Sequence, residues 1–294
     1  MSLKKASTIG REIDAEDEHM RKFVDSVIAK GSPWTDPDFR PERSSLYDPQ
    51  HDDVNTSEYG RLTWQRCTDI FPFEKTDVFV DKVEISDVIQ GGLGDCYFLA
   101  VLSAMAETPG AIESHFYTKK KNAAGIYMIY FYVNGKKTGV VIDDYIPCRG
   151  GRPFATSTKT NELWAILLEK AWAKLHGTYA RIEAGLPSFA CMHLLGTPAE
   201  SLWHGDFEDE SAKDAFWKKL QRCDAMSYMM MAASHGQGEE KTASGVISGH
   251  AYSFIGVREL THKGQNVRLC QLRNPWGSGE WTGAWSDNDD VWTD

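Results

Sequence analysis

Residues 90–107 read QGGLGDCYFLAVLSAMAE, and the interpretation of the whole chain depends on this stretch. The apolar part is hydrophobic on every side and stops at Thr108-Pro109-Gly110, which predicts a fully buried helix that begins at Cys96. The preceding glycines let backbone and a second molecule approach closely. Because a helix N-terminus stabilises a thiolate, we expect it to lower the pKa of Cys96 and make it reactive. The alternative is that Cys96 is a buried structural cysteine beside a tight turn. The position of Cys96 alone does not decide between a reactive and a structural cysteine.

The composition narrows the class of protein. The chain has 294 residues, which is long enough for a sizeable core in one large or two small domains. Its residues are 41% hydrophobic and 25% charged, which is ordinary for a globular protein. A net charge of −10 without a long basic run argues against nucleic acid or an anionic membrane as the main partner. No apolar run reaches the roughly 18–20 residues that span a bilayer, and residues 1–20 contain no apolar signal segment. Six scattered cysteines without C-x-x-C favour free thiols in a reducing, cytoplasmic compartment.

Apolar periodicity predicts a helix-rich first part and a strand-rich second part. Helices are expected over about 12–29, 96–107 and 161–177, and after a cap at Ser211. The runs typical of strands are 126–133, 136–143, 225–232, 250–257 and 267–274, the first two joined by the hairpin turn Asn134-Gly135. We therefore expect an α+β fold with an N-terminal extension (1–32), a helical subdomain that carries Cys96 (33–197) and an antiparallel β subdomain (198–294). A cleft between two such subdomains is a common place for a site.

A cysteine nucleophile needs a base, and the base needs a group that orients it. If 250–257 and 267–274 pair antiparallel around a loop at 258–266, Val257 lies opposite Val267 and His250 opposite Asn274. Directly opposed side chains are about 4.5–5.5 Å apart at Cβ, so the Asn274 amide could hold one imidazole nitrogen while the other faces the thiol. A slip of one residue in this register would send the two side chains to opposite faces of the sheet.

Acyl transfer also requires hydrogen-bond donors for an oxyanion. The N–H of Cys96 and the side-chain amide of Gln90 are the two candidates. Trp276 is placed to cover the bond between His250 and Asn274 and to keep water away from it. The Gly-rich stretch 235–249 is interpreted as a mobile loop that flanks the cleft.

The segments QGGLGDCYFLA (90–100), GHAYSFIGV (249–257) and RNPWGSGEWTGAWSD (273–287) resemble the three catalytic blocks of the calpains, which are calcium-dependent, papain-like cysteine proteases of the cytosol. They occur in the order that the family has, with Cys, then His, then Asn. DPDFRPERSSLYDP, FVDKVEISD and NELWAILLEKAWAKLHGTY add to the likeness, which covers about residues 33–294. Long motifs in a shared order make a chance match very improbable.

The resemblance implies a papain-like fold and a calcium-dependent endopeptidase that makes limited cuts in intracellular proteins. It implies Cys96 as nucleophile, His250 as base and acid, Asn274 as the group that orients it, Gln90 and Cys96 as oxyanion donors, and Trp276 as the shielding indole. It also implies two calcium sites, which suit the oxygen ligands that Ca²⁺ prefers. The first would use the carboxylates of Asp87 and Glu162 with the carbonyls of Val80 and Lys82, and the second would begin with Glu280 and Asp287.

The sequence departs from the family pattern at three places. Tyr97 stands where calpains usually have Trp, and Lys82 where they often have Gly. The family's protease core continues beyond the equivalent of Asp294, so we expect a truncated core whose second calcium site is incomplete and whose regulatory domains or subunit lie elsewhere. A catalytically inactive calpain-like module that binds calcium or a protein is the alternative. A transglutaminase-like acyltransferase is a third hypothesis, although it would more often have Asp in place of the Asn-Pro-Trp block.

Overall fold

The computed structural model describes residues 3–52, 56–71, 76–154, 156–157, 161–236 and 238–292. Its helices are α1 (Leu3–Lys30), α2 (Arg43–Leu46), α3 (Thr56–Tyr59), α4 (Cys67–Ile70), α5 (Cys96–Ala106), α6 (Trp164–His176), α7 (Pro187–Leu195) and α8 (Glu210–Ala225). Its strands are β1 (Thr63–Arg66), β2 (Ile89–Gln90), β3 (Ile126–Val133), β4 (Lys136–Asp143), β5 (Tyr145–Arg149), β6 (Arg152–Pro153), β7 (Thr156–Ser157), β8 (Met230–Ala233), β9 (Ala251–His262) and β10 (Gln265–Arg273). The strands form antiparallel sheets in the orders β1-β5-β6, β10-β9-β8, β2-β7 and β3-β4. The fold is therefore α+β, as expected.

Helix α5 lies at the centre of the main core. All 11 of its residues are buried, which explains why the sequence is apolar on every side and not only on one face. Trp172 of α6 stacks on Phe98 of α5 with ring centroids 5.0 Å apart and planes 6° from parallel. Gly177 ends α6 with φ +101°, a conformation that glycine adopts without strain. These two helices give Cys96 a rigid support.

The β3–β4 hairpin has the turn that the sequence predicts, at Asn134 (φ 51°) and Gly135 (φ 73°). Six consecutive residues from Ile126 are buried because both faces of β3 are covered. Tyr127, Ile129 and Phe131 point into the main core, and the alternate residues pack with Val24 and Val27 of α1. This helix is longer than predicted from residues 12–29, and it accounts for the uninterrupted apolar run of the strand.

The C-terminal part differs from the prediction at the ends of its elements. Asp209 caps α8, because its side chain accepts a hydrogen bond from the N–H of Ala212 at 2.7 Å. The predicted cap at Ser211 is therefore wrong. The predicted strand 225–232 shortens to β8, since α8 continues to Ala225 and turn residues follow it.

The register predicted for β9 and β10 is also wrong. The expected loop 258–266 is mostly strand, and the two strands turn at Lys263 (φ 49°) and Gly264 (φ 78°). Val257 lies opposite Cys270 instead of Val267. A further register shift lies between Gln271 and Leu272, near the end of β10 and shortly before Asn274.

Apolar packing of Ala251 and Met231 and a few polar contacts attach the C-terminal sheet to the core around α5. Ser253 of β9 donates to the carbonyl of Ala100 at 2.9 Å. The Arg273 guanidinium donates to Ser103 Oγ at 2.9 Å and to the carbonyl of Val88 at 3.0 Å. These bonds hold the start of β9 and the end of β10 against the middle of the buried helix.

Strand content is not confined to the C-terminal part. Seven of the ten strands in the described residues precede position 198, so the first part is mixed and not simply helical. All six cysteines are free, as expected. Among the helices of the described residues, none combines the length and the apolar character that a membrane crossing requires.

Candidate active site

The start of α5 places Cys96 at the edge of the core with 8% of its surface exposed. The glycine turn before it is tightly packed. A Cβ at Gly92 would lie 2.6 Å from the ring of Phe154, and the N–H of Gly92 donates to the Phe154 carbonyl. Only glycine fits there, which explains one glycine of the lead-in.

His250 and Asn274 meet immediately before β9 and after β10. Nε2 of His250 lies 2.8 Å from Oδ1 of Asn274, and both residues are buried. The amide orientation of Asn274 is fixed, since its Oδ1 accepts from the N–H of Trp276 at 3.0 Å and its Nδ2 donates to the carbonyl of Ser278 at 2.9 Å. Nε2 of His250 must therefore be the donor, which leaves Nδ1 as the nitrogen for chemistry.

Aromatic rings enclose this imidazole. The ring of Trp276 is 5.1 Å from that of His250 at 60°, and Tyr252 meets it edge-on at 4.9 Å and 87°. Trp276 thus lies where the sequence prediction places a shield. The predicted contact between His250 and Asn274 is present, although the strand register from which it was inferred is wrong. Both residues lie just outside the paired strands, and the register shift after Gln271 brings them together.

Glu239 is a residue of this site that sequence reasoning missed. Its Oε1 lies 2.5 Å from Nδ1 of His250. Cys96 Sγ, a Glu239 carboxylate oxygen and a His250 ring nitrogen all lie within 4.8 Å of one another. The only sequence signal that could have identified Glu239 is its position in the Gly-rich stretch 235–249. Hydrophobic periodicity does not predict where such a loop lies relative to a cleft.

The pKa of Cys96 contradicts the sequence expectation. Burial raises it to about 12, the Glu239 carboxylate acts in the same direction, and a backbone hydrogen bond from Ala251 opposes both. Desolvation of a thiolate therefore outweighs the helix N-terminus in this conformation. Cys96 is held as a thiol here, with the carboxylate against the imidazole nitrogen that would receive its proton.

Gln90 lies beside these residues on β2. Its Nε2 donates to the carbonyl of Leu93 at 2.9 Å, and its main-chain N–H donates to the carbonyl of Pro275 at 3.0 Å. A side-chain amide has two N–H groups, so one remains for another acceptor. Oε1 of Gln90 is buried and accepts no hydrogen bond from the described residues.

Two residues predicted for the first calcium site, Asp87 and Glu162, lie next to each other. Asp87 and Glu162 are 5% and 2% exposed. Glu162 Oε1 accepts from the N–H groups of Val80 at 2.7 Å and Asp81 at 3.1 Å, so the loop that includes Lys82 wraps around it. Burial raises the pKa of Asp87, and the neighbouring Glu162 carboxylate raises it further. Two buried, mutually repelling carboxylates fit a divalent cation.

Glu280 and Asp287, the residues predicted to begin the second set, are both exposed. The two predicted sets therefore differ in burial.

A family model described as "Calpain family cysteine protease" matches residues 34–294, nearly the whole chain. The chain belongs to the calpain family of cysteine proteases. It is 38% identical over 286 residues to the calpain-type cysteine protease DEK1 of Zea mays, and the match covers 93% of this chain and 13% of that protein. It is 32% identical over 273 residues to the calpain-1 catalytic subunit of Sus scrofa, covering 90% and 37%. For calpain-9 of Homo sapiens the identity is 30% over 283 residues, covering 94% and 39%.

This calpain chain thus spans well under half the length of these relatives. The match includes the segments that carry Cys96, His250 and Asn274. The match also includes Tyr97, and this side chain is packed as a large aromatic residue would be. A Cβ at Gly185 would lie 2.7 Å from the Tyr97 ring, and the Tyr97 hydroxyl accepts from Trp172 Nε1 at 3.1 Å.

A second feature that sequence reasoning missed in this calpain core directly precedes Cys96. Asp95 and Glu169 are 0% and 1% exposed, and the N–H of Thr156 donates to Glu169 at 3.1 Å while its hydroxyl donates to the other oxygen. Burial raises the pKa of Glu169 to about 7. Burial also raises the pKa of Asp95, and Glu169 adds to that effect. Near neutral pH this pair of carboxyl groups therefore retains a proton.

Proposed function

We propose that this chain is the protease core of a calcium-dependent cysteine endopeptidase that makes limited cuts in proteins. The observation that carries the proposal is the position of His250. Asn274 fixes one of its ring nitrogens at 2.8 Å, and the ring reaches within 4.8 Å of Cys96 Sγ. A nucleophile, a base and a group that orients the base are the arrangement that acyl transfer requires.

In the proposed reaction, Nδ1 of His250 takes the proton of the Cys96 thiol, and the thiolate attacks the carbonyl carbon of a peptide bond. The N–H of Cys96 and the free N–H of Gln90 donate to the oxyanion that forms. His250 then gives the proton to the leaving amine, which produces an acyl-enzyme. Water, activated by the same imidazole, hydrolyses the thioester and restores the thiol.

The proposed reaction requires the Glu239 carboxylate to leave. While it contacts Nδ1 of His250, that nitrogen cannot receive the thiol proton, and the pKa of Cys96 stays high. Movement of Glu239 with the residues that follow it would free the nitrogen and allow a thiolate–imidazolium pair to form. We therefore assign the described conformation to a resting state.

Asp87 and Glu162, with the carbonyls of Val80 and Lys82, are the residues that would hold a regulatory calcium ion. A bound Ca²⁺ supplies positive charge to two buried carboxylates and orders the loop around them. In this proposal, closure of residues 33–197 against 198–294 brings the loop around Asp87 and the Asn274 segment into their active arrangement. Glu280 and Asp287 would contribute to a second site only after rearrangement.

Proteolysis of an unfolded protein substrate in the presence of Ca²⁺ tests the proposed activity. Cys96→Ser should abolish cleavage, because an alcohol is a far poorer nucleophile at this position. Cys270→Ser is the matched control, since it removes an exposed thiol outside the site and should leave cleavage unchanged. Undiminished cleavage by the Cys96→Ser variant would remove Cys96 from the mechanism.

Calorimetric titration with Ca²⁺ tests the proposed cation site separately. Asp87→Asn should weaken binding strongly, because it removes one of two buried negative charges. Asp287→Asn also replaces a carboxylate by an amide, but at an exposed position, and should change the affinity for the first calcium ion little. Equal effects of the two substitutions would contradict the assignment.

A catalytically inactive calpain-like module is the second candidate, and the raised pKa of Cys96 favours it. Such a module would bind calcium or a protein partner with Cys96 permanently protonated. It predicts no cleavage by the wild-type chain with Ca²⁺ and no dependence of Cys96 reactivity on His250. The protease predicts cleavage and a dependence of Cys96 reactivity on His250.

We propose a cytoplasmic location and protein substrates. Six free thiols are consistent with a reducing compartment. The relatives are much longer than this chain, which is consistent with regulatory domains or a subunit outside it.

A further inference from the structure

Cys96, Glu239 and His250 bring three different kinds of metal ligand to one point. A thiol sulfur, a carboxylate oxygen and an imidazole nitrogen all lie within 4.8 Å of one another. Within the described residues, no other set of three or more Cys, His, Asp or Glu side chains converges in this way. Cys96 and His250 are buried and Glu239 is exposed, so an ion could enter from the Glu239 side.

This ligand set suits zinc and not calcium. Zn²⁺ binds Cys, His and carboxylate ligands at about 2.0–2.3 Å, usually with four ligands in a tetrahedron. Tetrahedral bonds of that length place neighbouring ligand atoms roughly 3.2–3.8 Å apart, so small side-chain movements suffice. Ca²⁺ prefers six to eight oxygen ligands at longer distances. A thiolate and an imidazole therefore select against the ion that Asp87 and Glu162 would hold.

The groups around His250 also fit a metal ligand. A ligating histidine usually donates its second ring N–H to a neighbouring oxygen, which fixes the tautomer and the ring orientation. Asn274 Oδ1 is that acceptor at 2.8 Å from Nε2, and Nδ1 already contacts Glu239. Nδ1 is therefore presented to the point where the carboxylate and the thiol converge.

Glu239 is held near the site by its own loop. Ser248 donates from its N–H to the carbonyl of Glu240 at 2.8 Å, and its hydroxyl lies 3.2 Å from the carbonyl of Gly238. Gly249 has φ +55°, and a Cβ there would lie 2.9 Å from the Gly238 carbonyl oxygen. Gly238 and Glu240, the neighbours of Glu239, therefore contact Ser248 and Gly249, which directly precede His250.

We propose that Cys96, Glu239 and His250 form an inhibitory site for Zn²⁺ or a similar thiophilic divalent ion, with water as the fourth ligand. Binding replaces the proton of the Cys96 thiol and the contact between Glu239 and Nδ1. No bond between heavy atoms of the protein changes. Glu239 takes no part in the bond-making and bond-breaking steps of the proposed proteolysis, so it is the residue that distinguishes this site from an ordinary pair of catalytic Cys and His. That Zn²⁺ inhibits catalysis rests on the proposed function, whereas its binding does not.

The test is titration of the whole chain with Zn²⁺ by calorimetry and with Co²⁺ by absorption spectroscopy, with Ca²⁺ present in both. We expect one ion per chain and a thiolate-to-cobalt charge-transfer band together with the visible bands of tetrahedral Co²⁺. Glu239→Gln should weaken binding by at least about tenfold, since a neutral amide is a poor zinc ligand. Glu240→Gln is the matched control because it makes the same change one residue along the loop, and it should bind like wild type.

Four outcomes would overturn the inference: no binding of Zn²⁺ at micromolar concentrations, no thiolate band, equal affinity of the wild type and the Glu239→Gln variant, or a thiolate band that persists in the Cys96→Ser variant. Proteolysis measured with Ca²⁺ before any Zn²⁺ is added, and again after it is added, separates the two proposals. A chain that binds Zn²⁺ through Glu239 but cleaves nothing even before Zn²⁺ is added contradicts only the protease, and a chain that cleaves but binds no Zn²⁺ contradicts only the metal site.

Discussion

Helix α5 and strand β10 supply opposite sides of the candidate active site, and they are packed very differently. All 11 residues of α5 are buried, whereas none of the 9 residues of β10 is. Cys96 therefore owes its position to the core. Asn274, which follows β10, is held near α5 through the polar contacts of Ser253 and Arg273 and the packing of Ala251. The comparison separates what keeps the chain folded from what aligns the candidate catalytic groups.

The largest expected difference between these regions is in the free energy of unfolding. Trp172→Ala removes a fully buried ring that stacks on Phe98 and should cost about 3–5 kcal/mol. Leu272→Ala, at a position of β10 that is 45% exposed, should cost less than about 1 kcal/mol. Urea denaturation followed by circular dichroism measures both. Similar costs would mean that β10 is as important to stability as the core.

The buried carboxyl pair predicts a dependence of stability on pH. The native state raises the pKa of Glu169 from 4.5 to about 7, so between these values it keeps a proton that the unfolded chain releases. The free energy of unfolding should therefore fall as pH rises through this window, by about 3 kcal/mol. Denaturation midpoints at several pH values measure this slope.

Glu169→Gln should flatten that slope, because an amide does not titrate. Glu259→Gln is the control on β9, where the carboxylate is at the surface and hydrogen bonds lower its pKa. A slope that survives in the Glu169→Gln variant would assign the proton to other groups, of which Asp95 is the nearest.

Loss of the contacts between the sheet and α5 should have a smaller effect on stability and a clear one on the site. Arg273→Ala removes the hydrogen bonds to Ser103 and to the Val88 carbonyl, which should cost about 2 kcal/mol. It should also slow alkylation of Cys96 with Ca²⁺ present, because the hydrogen bonds of Arg273 no longer hold the adjacent Asn274 in position. Arg268→Ala, also on β10, removes an exposed ion pair with Asp214 and should change both quantities much less. Unchanged Cys96 reactivity in the Arg273→Ala variant would show that the sheet does not depend on this anchor.

The same contrast explains which elements the sequence predicts well. The turn at Asn134-Gly135 and the buried helix from Cys96 depend on local residue chemistry, and both occur as expected. The turn at Lys263-Gly264 carries a weaker signal, and the register shift after Gln271 depends on how the sheet meets α5. The strand register was therefore missed.

The site shows the same limit of prediction. The residue types and order of Cys96, His250 and Asn274 are sufficient to nominate them, because a family resemblance carries those positions. The Glu239 carboxylate was missed, since it reaches His250 through a folded loop that no periodicity describes. The raised pKa of Cys96 was missed for the same reason, because burial and that carboxylate are properties of the assembled structure.

The most direct test of the central claim is the rate of alkylation of Cys96 by iodoacetamide as a function of pH, with Ca²⁺ present and Cys270 as the reference thiol in the same sample. If Cys96 and His250 form a thiolate–imidazolium pair, Cys96 should react rapidly below neutral pH where Cys270 is inert, and His250→Ala should abolish that acidic limb. If Cys96 instead titrates as a single thiol with a raised pKa, unaffected by His250→Ala, the proposed protease mechanism is contradicted.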